Sequence, residues 1–116
     1  QVEKVIWAGV ESSPWYERAQ KYLPKGPGAV LGFTLKDATL EQTRDFVDAL
    51  KLHSNVANIG DVRSLVIHPA STTHSQLSAE ELEKIGVYPN FVRLAVGIEN
   101  IDDILADLQL GFDTLS

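Results

Sequence analysis

The sequence predicts a small α/β (α+β) fold: an open sheet of about four strands, largely antiparallel or mixed, with helices mainly on one face. Two observations predict it. Apolar runs of strand length alternate with stretches of helical period, in the order strand then helix, four times over. The segments between them are short and rich in the Gly, Pro, Asn and Ser that turns require. At 116 residues, with 44% hydrophobic and 22% charged side chains, the chain is long enough for one core and has the composition of a folded domain.

Each element has its own signal. "VEKVIWAGV" is the first strand or the approach to it. "SSPWYERAQKYL" reads as a helix, with Ser13 as its cap, Pro14 at the first helical position, and Trp15, Ala19, Tyr22 and Leu23 at helical spacing. Pro24 stops it, and "PKGPG" is a loop. "AVLGFTL" reads as a strand with a weak point at Gly32. Thr39 is placed to cap "LEQTRDFVDALKL", where Leu40, Phe46, Val47 and Leu50 fall largely on one side. "SNVANIGD" is turn-rich with a short extended piece inside, and "RSLVIH" is a strand that Pro69 ends. Ser78 and Glu81 form a capping-box pattern before a short helix that Gly86 is placed to end. "NFVRLAV" is the last strand. Asn100 is placed to cap a final helix with a stripe of Ile101, Ile104, Leu105, Leu108, Phe112 and Leu115.

Charge and composition narrow the function classes. The net charge is −6 and no basic cluster stands out, so nucleic acid is not an expected partner. The apolar runs are far too short to cross a membrane, and "QVEKVIWAGV" lacks the basic and apolar regions of a signal peptide. With no Cys there is no disulfide, thiolate metal site or Cys nucleophile, which is compatible with a cytoplasmic protein. The chain has no Met at all, initiator included, and reads as a fragment of something longer.

Arg93 is the first candidate for chemistry. In a strand, Phe91, Arg93 and Ala95 share one face while Val92, Leu94 and Val96 share the apolar other. An Arg among such residues either forms a structural ion pair with one of the sixteen acids or grips an anion with its planar fork. Residues 63 to 76, "RSLVIHPASTTHSQ", gather Ser64, Ser71, Thr72, Thr73 and Ser75 with His68 and His74. Hydroxyls at a strand end either bind a ligand or satisfy their own turn. His68 and His74 have no third ligand at a recognisable spacing, so no metal site is expected. No nucleophile elbow and no Gly-rich phosphate loop is present. Asp102, Asp103 and Asp107 read as a solvated helix face.

The motifs "GDVRSLVIHPASTTH" and "VRLAVGIENIDDILADL", with "VIWAGVESSPWYERAQKYLPKGPGAVLGFTLK" upstream, resemble the C-terminal region of the Cys/Met-metabolism family. These are pyridoxal-phosphate enzymes of the aspartate-aminotransferase fold type, and within them the likeness is greatest to the sulfhydrylases that act on O-acetylhomoserine. The chain departs from the family pattern in "AGVESSP", which lacks a Pro before the Gly, and at Ala95, where Ser is usual. The resemblance implies that residues 1–116 form the C-terminal domain of a longer enzyme. That enzyme would be a homotetramer replacing the acetate of O-acetyl-L-homoserine by sulfide or a thiol. It further implies that Arg93 and Ser64 bind the substrate carboxylate, with Thr73 and His74 in support. Pyridoxal phosphate and its lysine would lie in an upstream domain, because none of Lys4, Lys21, Lys25, Lys36, Lys51 and Lys84 has the family's Ser-x-(Thr/Ser)-Lys setting. No catalytic or cofactor-binding residue is then expected on this chain. Readings kept beside this are the same domain of a cystathionine γ-synthase or methionine γ-lyase, and a stand-alone domain that binds a small carboxylate or another protein.

Overall fold

Strands Val30–Leu35 (β2) and Phe91–Ala95 (β5) make the centre of the sheet, antiparallel, with Phe33 opposite Val92 and Gly32 opposite Arg93. The computed structural model describes residues 1–72 and 75–115. Val2–Ile6 (β1) pairs antiparallel with β2, and Leu65–Ile67 (β4) pairs antiparallel with β5. Ser54–Asn55 (β3) lies parallel to β4 at the edge. The order is β1-β2-β5-β4-β3, so the sheet has five strands where the sequence suggested about four. The fifth is the short extended piece expected within "SNVANIGD"; two residues are too few for a strand period to register.

The core lies on one side of this sheet. Strand alternation turns Phe33, Leu35, Val66, Val92 and Leu94 to a common face. There they meet Phe46, Val47 and Leu50 from the helix Leu40–Ala49 (α2) and Leu108 and Phe112 from the helix Ile101–Asp113 (α4). Phe33, Phe46 and Phe112 form a ring cluster with centroid separations of 5.9, 6.5 and 5.0 Å.

The helix ends largely follow the sequence signals. Thr39 and Gln42 form a full capping box at α2, as do Ser78 and Glu81 at Ala79–Lys84 (α3). Helix α3 ends just before Gly86, which takes a φ of 78°. Asn100 caps α4 by accepting the Asp102 N–H at 2.8 Å. The first helix (α1) differs: it runs Tyr16–Tyr22, with Trp15 rather than Ser13 in the cap position. The Ser13 hydroxyl is used two residues earlier than a helix cap requires, accepting the Trp15 N–H at 3.2 Å in a turn. Pro14 therefore sits before the helix. Helix α1 buries no residue, and Trp15 and Tyr22 stay exposed.

Asp107 also departs from expectation. It is buried, at 5% exposure, rather than solvated. Its carboxylate accepts the N–H groups of Lys51, Leu52 and His53 at 2.7, 2.9 and 3.0 Å, and meets His53 Nδ1 at 2.7 Å. One side chain on α4 thus satisfies the chain as it leaves α2 and turns toward β3. Burial alone would push the carboxyl up. The Leu52 N–H, the His53 ring and the His53 and Lys51 N–H groups outweigh that and hold it at about 2.

His68, just after β4, is buried too. Its Nε2 lies 2.7 Å from the Pro89 carbonyl, and its Nδ1 lies 2.8 Å from the Ser71 hydroxyl. This set fits a neutral ring that donates from Nε2 and accepts at Nδ1. Burial lowers its pKa foremost and Arg44 adds to this, against the Pro89 bond and Asp48.

Two predictions follow from these buried groups. Asp107→Asn removes the charge from four hydrogen bonds, and urea unfolding is expected to show a loss of about 2–3 kcal/mol; a loss below about 0.5 kcal/mol would contradict the anchoring role. Because the folded pKa of Asp107 is depressed, its contribution is present above the unfolded carboxyl value and is lost as pH falls from there through about 2. His68, also depressed, binds its proton more readily unfolded. Thermal stability is therefore expected to drop as pH falls below the ordinary imidazole value, and His68→Gln is expected to flatten that slope relative to wild type.

Candidate functional site

The face of the sheet opposite the α2–α4 core carries Arg93. Its cross-strand neighbours are Gly32 on β2 and Ile67 on β4. The Phe91 ring lies over Gly32, so close that a Cβ there would sit 2.4 Å from it. Arg93 is half-buried, and its Nη2 reaches the Asn58 carbonyl at a long 3.4 Å. Among the described residues no carboxylate lies within ion-pair distance of it; the ion pairs there are His53–Asp107 and the exposed Arg63–Asp61. A guanidinium with five donors and one weak bond has most of its fork free for a planar anion.

Ser64 lies one residue before β4 and is fully buried. Its N–H and hydroxyl both donate to Glu99, at 2.6 and 2.8 Å, and its Oγ accepts the Gly97 N–H at 2.9 Å. It stands three residues before Ile67, the residue opposite Arg93, which is roughly 10 Å along a strand. No hydrogen bond joins Ser64 to Arg93 among the described residues. Thr73 and His74 lie outside the described residues. Of their neighbours, Ser71 and Thr72 fold back on His68: the Thr72 hydroxyl donates to its carbonyl at 2.8 Å, and Ser71 meets its ring.

Sequence reasoning missed Glu99 and His53 and misplaced Asp107. A signal for Asp107 was available. It lies three residues after Ile104 and four before Gly111, on the row of α4 that is buried. Glu99 comes four residues after the last strand, where a carboxylate reads as solvated until the segment before β4 is known to run alongside.

Six lysines occur in the chain, and every one is exposed. A lysine that forms an imine with an aldehyde cofactor needs a desolvated or electropositive setting that lowers its pKa. All six here reach solvent. Among the described residues no cluster of His, Asp or Glu could hold a metal ion. No helix there is long and apolar enough to cross a membrane.

Comparisons with known proteins agree with this distribution of parts. Residues 1–113 match the family model described as Cys/Met metabolism PLP-dependent enzyme. The O-acetyl-L-homoserine sulfhydrylase of Corynebacterium glutamicum is 56% identical over 112 residues, which is 97% of this chain and 25% of that protein. O-acetyl-L-homoserine sulfhydrylase 1 of Thermus thermophilus is 51% identical over 109 residues, 94% of this chain and 26% of that protein. A solved Campylobacter jejuni structure assigned as an O-acetylhomoserine (thiol)-lyase superposes with a TM-score of 0.84 at 40% identity, covering 97% of this chain and 26% of that one. The pyridoxyl-lysine in that structure lies outside the region this chain matches. The chain thus spans about a quarter of the length of the relatives it matches. It belongs to the Cys/Met-metabolism family of pyridoxal-phosphate-dependent enzymes.

Proposed function

We propose that this chain is the C-terminal, substrate-side domain of an O-acetyl-L-homoserine sulfhydrylase, and that Arg93 binds the substrate α-carboxylate. One observation carries the reading: a half-buried Arg, fixed on a central strand, with no carboxylate partner among the described residues. The identity to sulfhydrylases over nearly the whole chain supports the choice of substrate. The methionine γ-lyase of Fusobacterium nucleatum, at 43% identity, and the cystathionine γ-synthase of Xanthomonas oryzae, at 34%, are more distant.

The contribution of this domain is orientation. Two parallel N–H···O bonds from the guanidinium fix both the position and the plane of a carboxylate. Holding that end of an amino acid sets the direction of its Cα–H bond, and such positioning is worth several kcal/mol of a barrier as an order of magnitude. The domain selects amino acids over neutral analogues for the same reason. Thr73 and His74 support the same end of the substrate, and Ser64 is the second residue expected to bind the carboxylate. With its donors held by Glu99, Ser64 in this arrangement places the β4–β5 end of the sheet. No step through the cofactor is assigned to this chain. In the whole enzyme, a cytoplasmic homotetramer in this reading, sulfide or a thiol replaces acetate, and the domain alone is inactive.

In the full-length enzyme, Arg93→Ala is expected to lower kcat/KM for O-acetyl-L-homoserine by about a hundredfold, through a steeply raised KM and a lowered kcat, while cofactor absorbance persists. Arg93→Lys keeps the charge without the fork and is expected to recover only part of the loss. Wild-type kinetics in the Ala variant would remove Arg93 from the site. Sulfide, cysteine and methionine compared as co-substrates or substrates separate the sulfhydrylase from the synthase and the lyase.

A further inference from the structure

Glu99 joins two stretches of chain that no strand pairing joins. Its carboxylate holds the Ser64 N–H at 2.6 Å and the Ser64 hydroxyl at 2.8 Å. Beside it the Gly97 N–H donates to Ser64 Oγ at 2.9 Å, and the Ile98 N–H donates to the Val62 carbonyl at 2.9 Å. Gly97 allows this approach. A Cβ there would lie 2.2 Å from the Val62 oxygen and 2.5 Å from the Arg63 carbonyl carbon. Residues 62–64 therefore lie flat against 97–99. The backbone bond from Ser64, and then its side-chain bond, lower the Glu99 pKa below the ordinary value, so the bracket is ionised at neutral pH.

The bracket closes a loop. Residues 56–63 begin where the Val56 N–H donates to the Val66 carbonyl at 3.2 Å, and they end at Ser64 on Glu99. Inside the loop is Asn58, whose carbonyl receives the Arg93 guanidinium. Without the Glu99 contact, that end of the loop keeps the Ile98 N–H bond to Val62, the Ser54 N–H bond to the Ser64 carbonyl and the Gly97 N–H bond to Ser64 Oγ, but Ser64 loses its charged partner.

We propose that Glu99 is a positioning residue for Arg93: by pinning Ser64 it closes the loop 56–63 and sets the Asn58 carbonyl against which the guanidinium rests. This inference rests on the reading of Arg93 as the carboxylate clamp. A guanidinium that loses its rest binds the carboxylate less well in ground and transition states alike. The signature is therefore a raised KM with kcat held.

The test uses the full-length enzyme with Glu99→Gln, which keeps the shape and loses the charge and one acceptor. Two quantities are measured: KM and kcat for O-acetyl-L-homoserine, and the rate at which trypsin cuts the Arg63–Ser64 bond. Arg63 is exposed, and cleavage there requires the Ser64 N–H to leave its partner. Cleavage is expected to quicken about tenfold and KM to rise about fivefold, with kcat within about twofold of wild type. A purely structural role would lower thermal stability and leave KM unmoved. Should Glu99→Gln not fold, Glu99→Asp carries the same expectations, since its shorter carboxylate cannot span both Ser64 donors. Arg93→Lys is run alongside. If it raises KM and neither Glu99 variant does, the positioning role is overturned and the carboxylate reading stands. If Arg93→Lys leaves KM unchanged, the carboxylate reading itself falls. Unchanged cleavage at Arg63 overturns the pinning.

Discussion

The buried carboxylate of Asp107 is the constraint on which the arrangement of this domain depends. A helix end leaves N–H and C=O groups without partners, and a chain turning out of one inside a protein adds more. Here three successive N–H groups after α2 converge on one ionised oxygen pair carried by a different helix. That contact fixes α4 against α2, so the Phe33, Phe46 and Phe112 rings can close the core beneath. It also fixes where β3 begins, because His53 is the residue before it.

A second carboxylate, Glu99, acts at the other end of the same segment. Asp107 holds residues 51–53 and Glu99 holds Ser64, and between them run β3 and the loop that reaches Arg93. Both acids are on or next to α4. The helix thus braces, from the core side, a loop that serves the opposite face of the sheet. Acid groups that would count as surface charge by composition account for much of the local order here.

Much of this fold was legible in the sequence, because its elements carry local signals. Thr39, Ser78 and Asn100 cap their helices as their side-chain chemistry requires, and the alternation across Phe91 to Val96 separates the core face from the face that carries Arg93. What was not legible depended on pairing between distant segments. Strand β3 is two residues long and exists because β4 runs beside it. Ser13 and Pro14 look like a helix start, yet the chain there makes a turn first, since no core face draws that helix in. Glu99 and Ser64 are 35 residues apart, and nothing local in either marks the other. For the site, the strand pattern isolated Arg93 but left open whether an acid met it. Only the three-dimensional arrangement shows its fork turned to a backbone carbonyl, with no described carboxylate beside it.

The central claim is that Arg93 recognises a carboxylate. It is tested most directly by comparing O-acetyl-L-homoserine with its methyl ester as substrates of the full-length enzyme, with Arg93 and with Arg93→Ala. The account predicts that wild type prefers the free acid by about a hundredfold in kcat/KM, and that the preference falls close to one in the variant. A preference that survives the loss of Arg93 would place carboxylate recognition elsewhere in the enzyme and contradict the account.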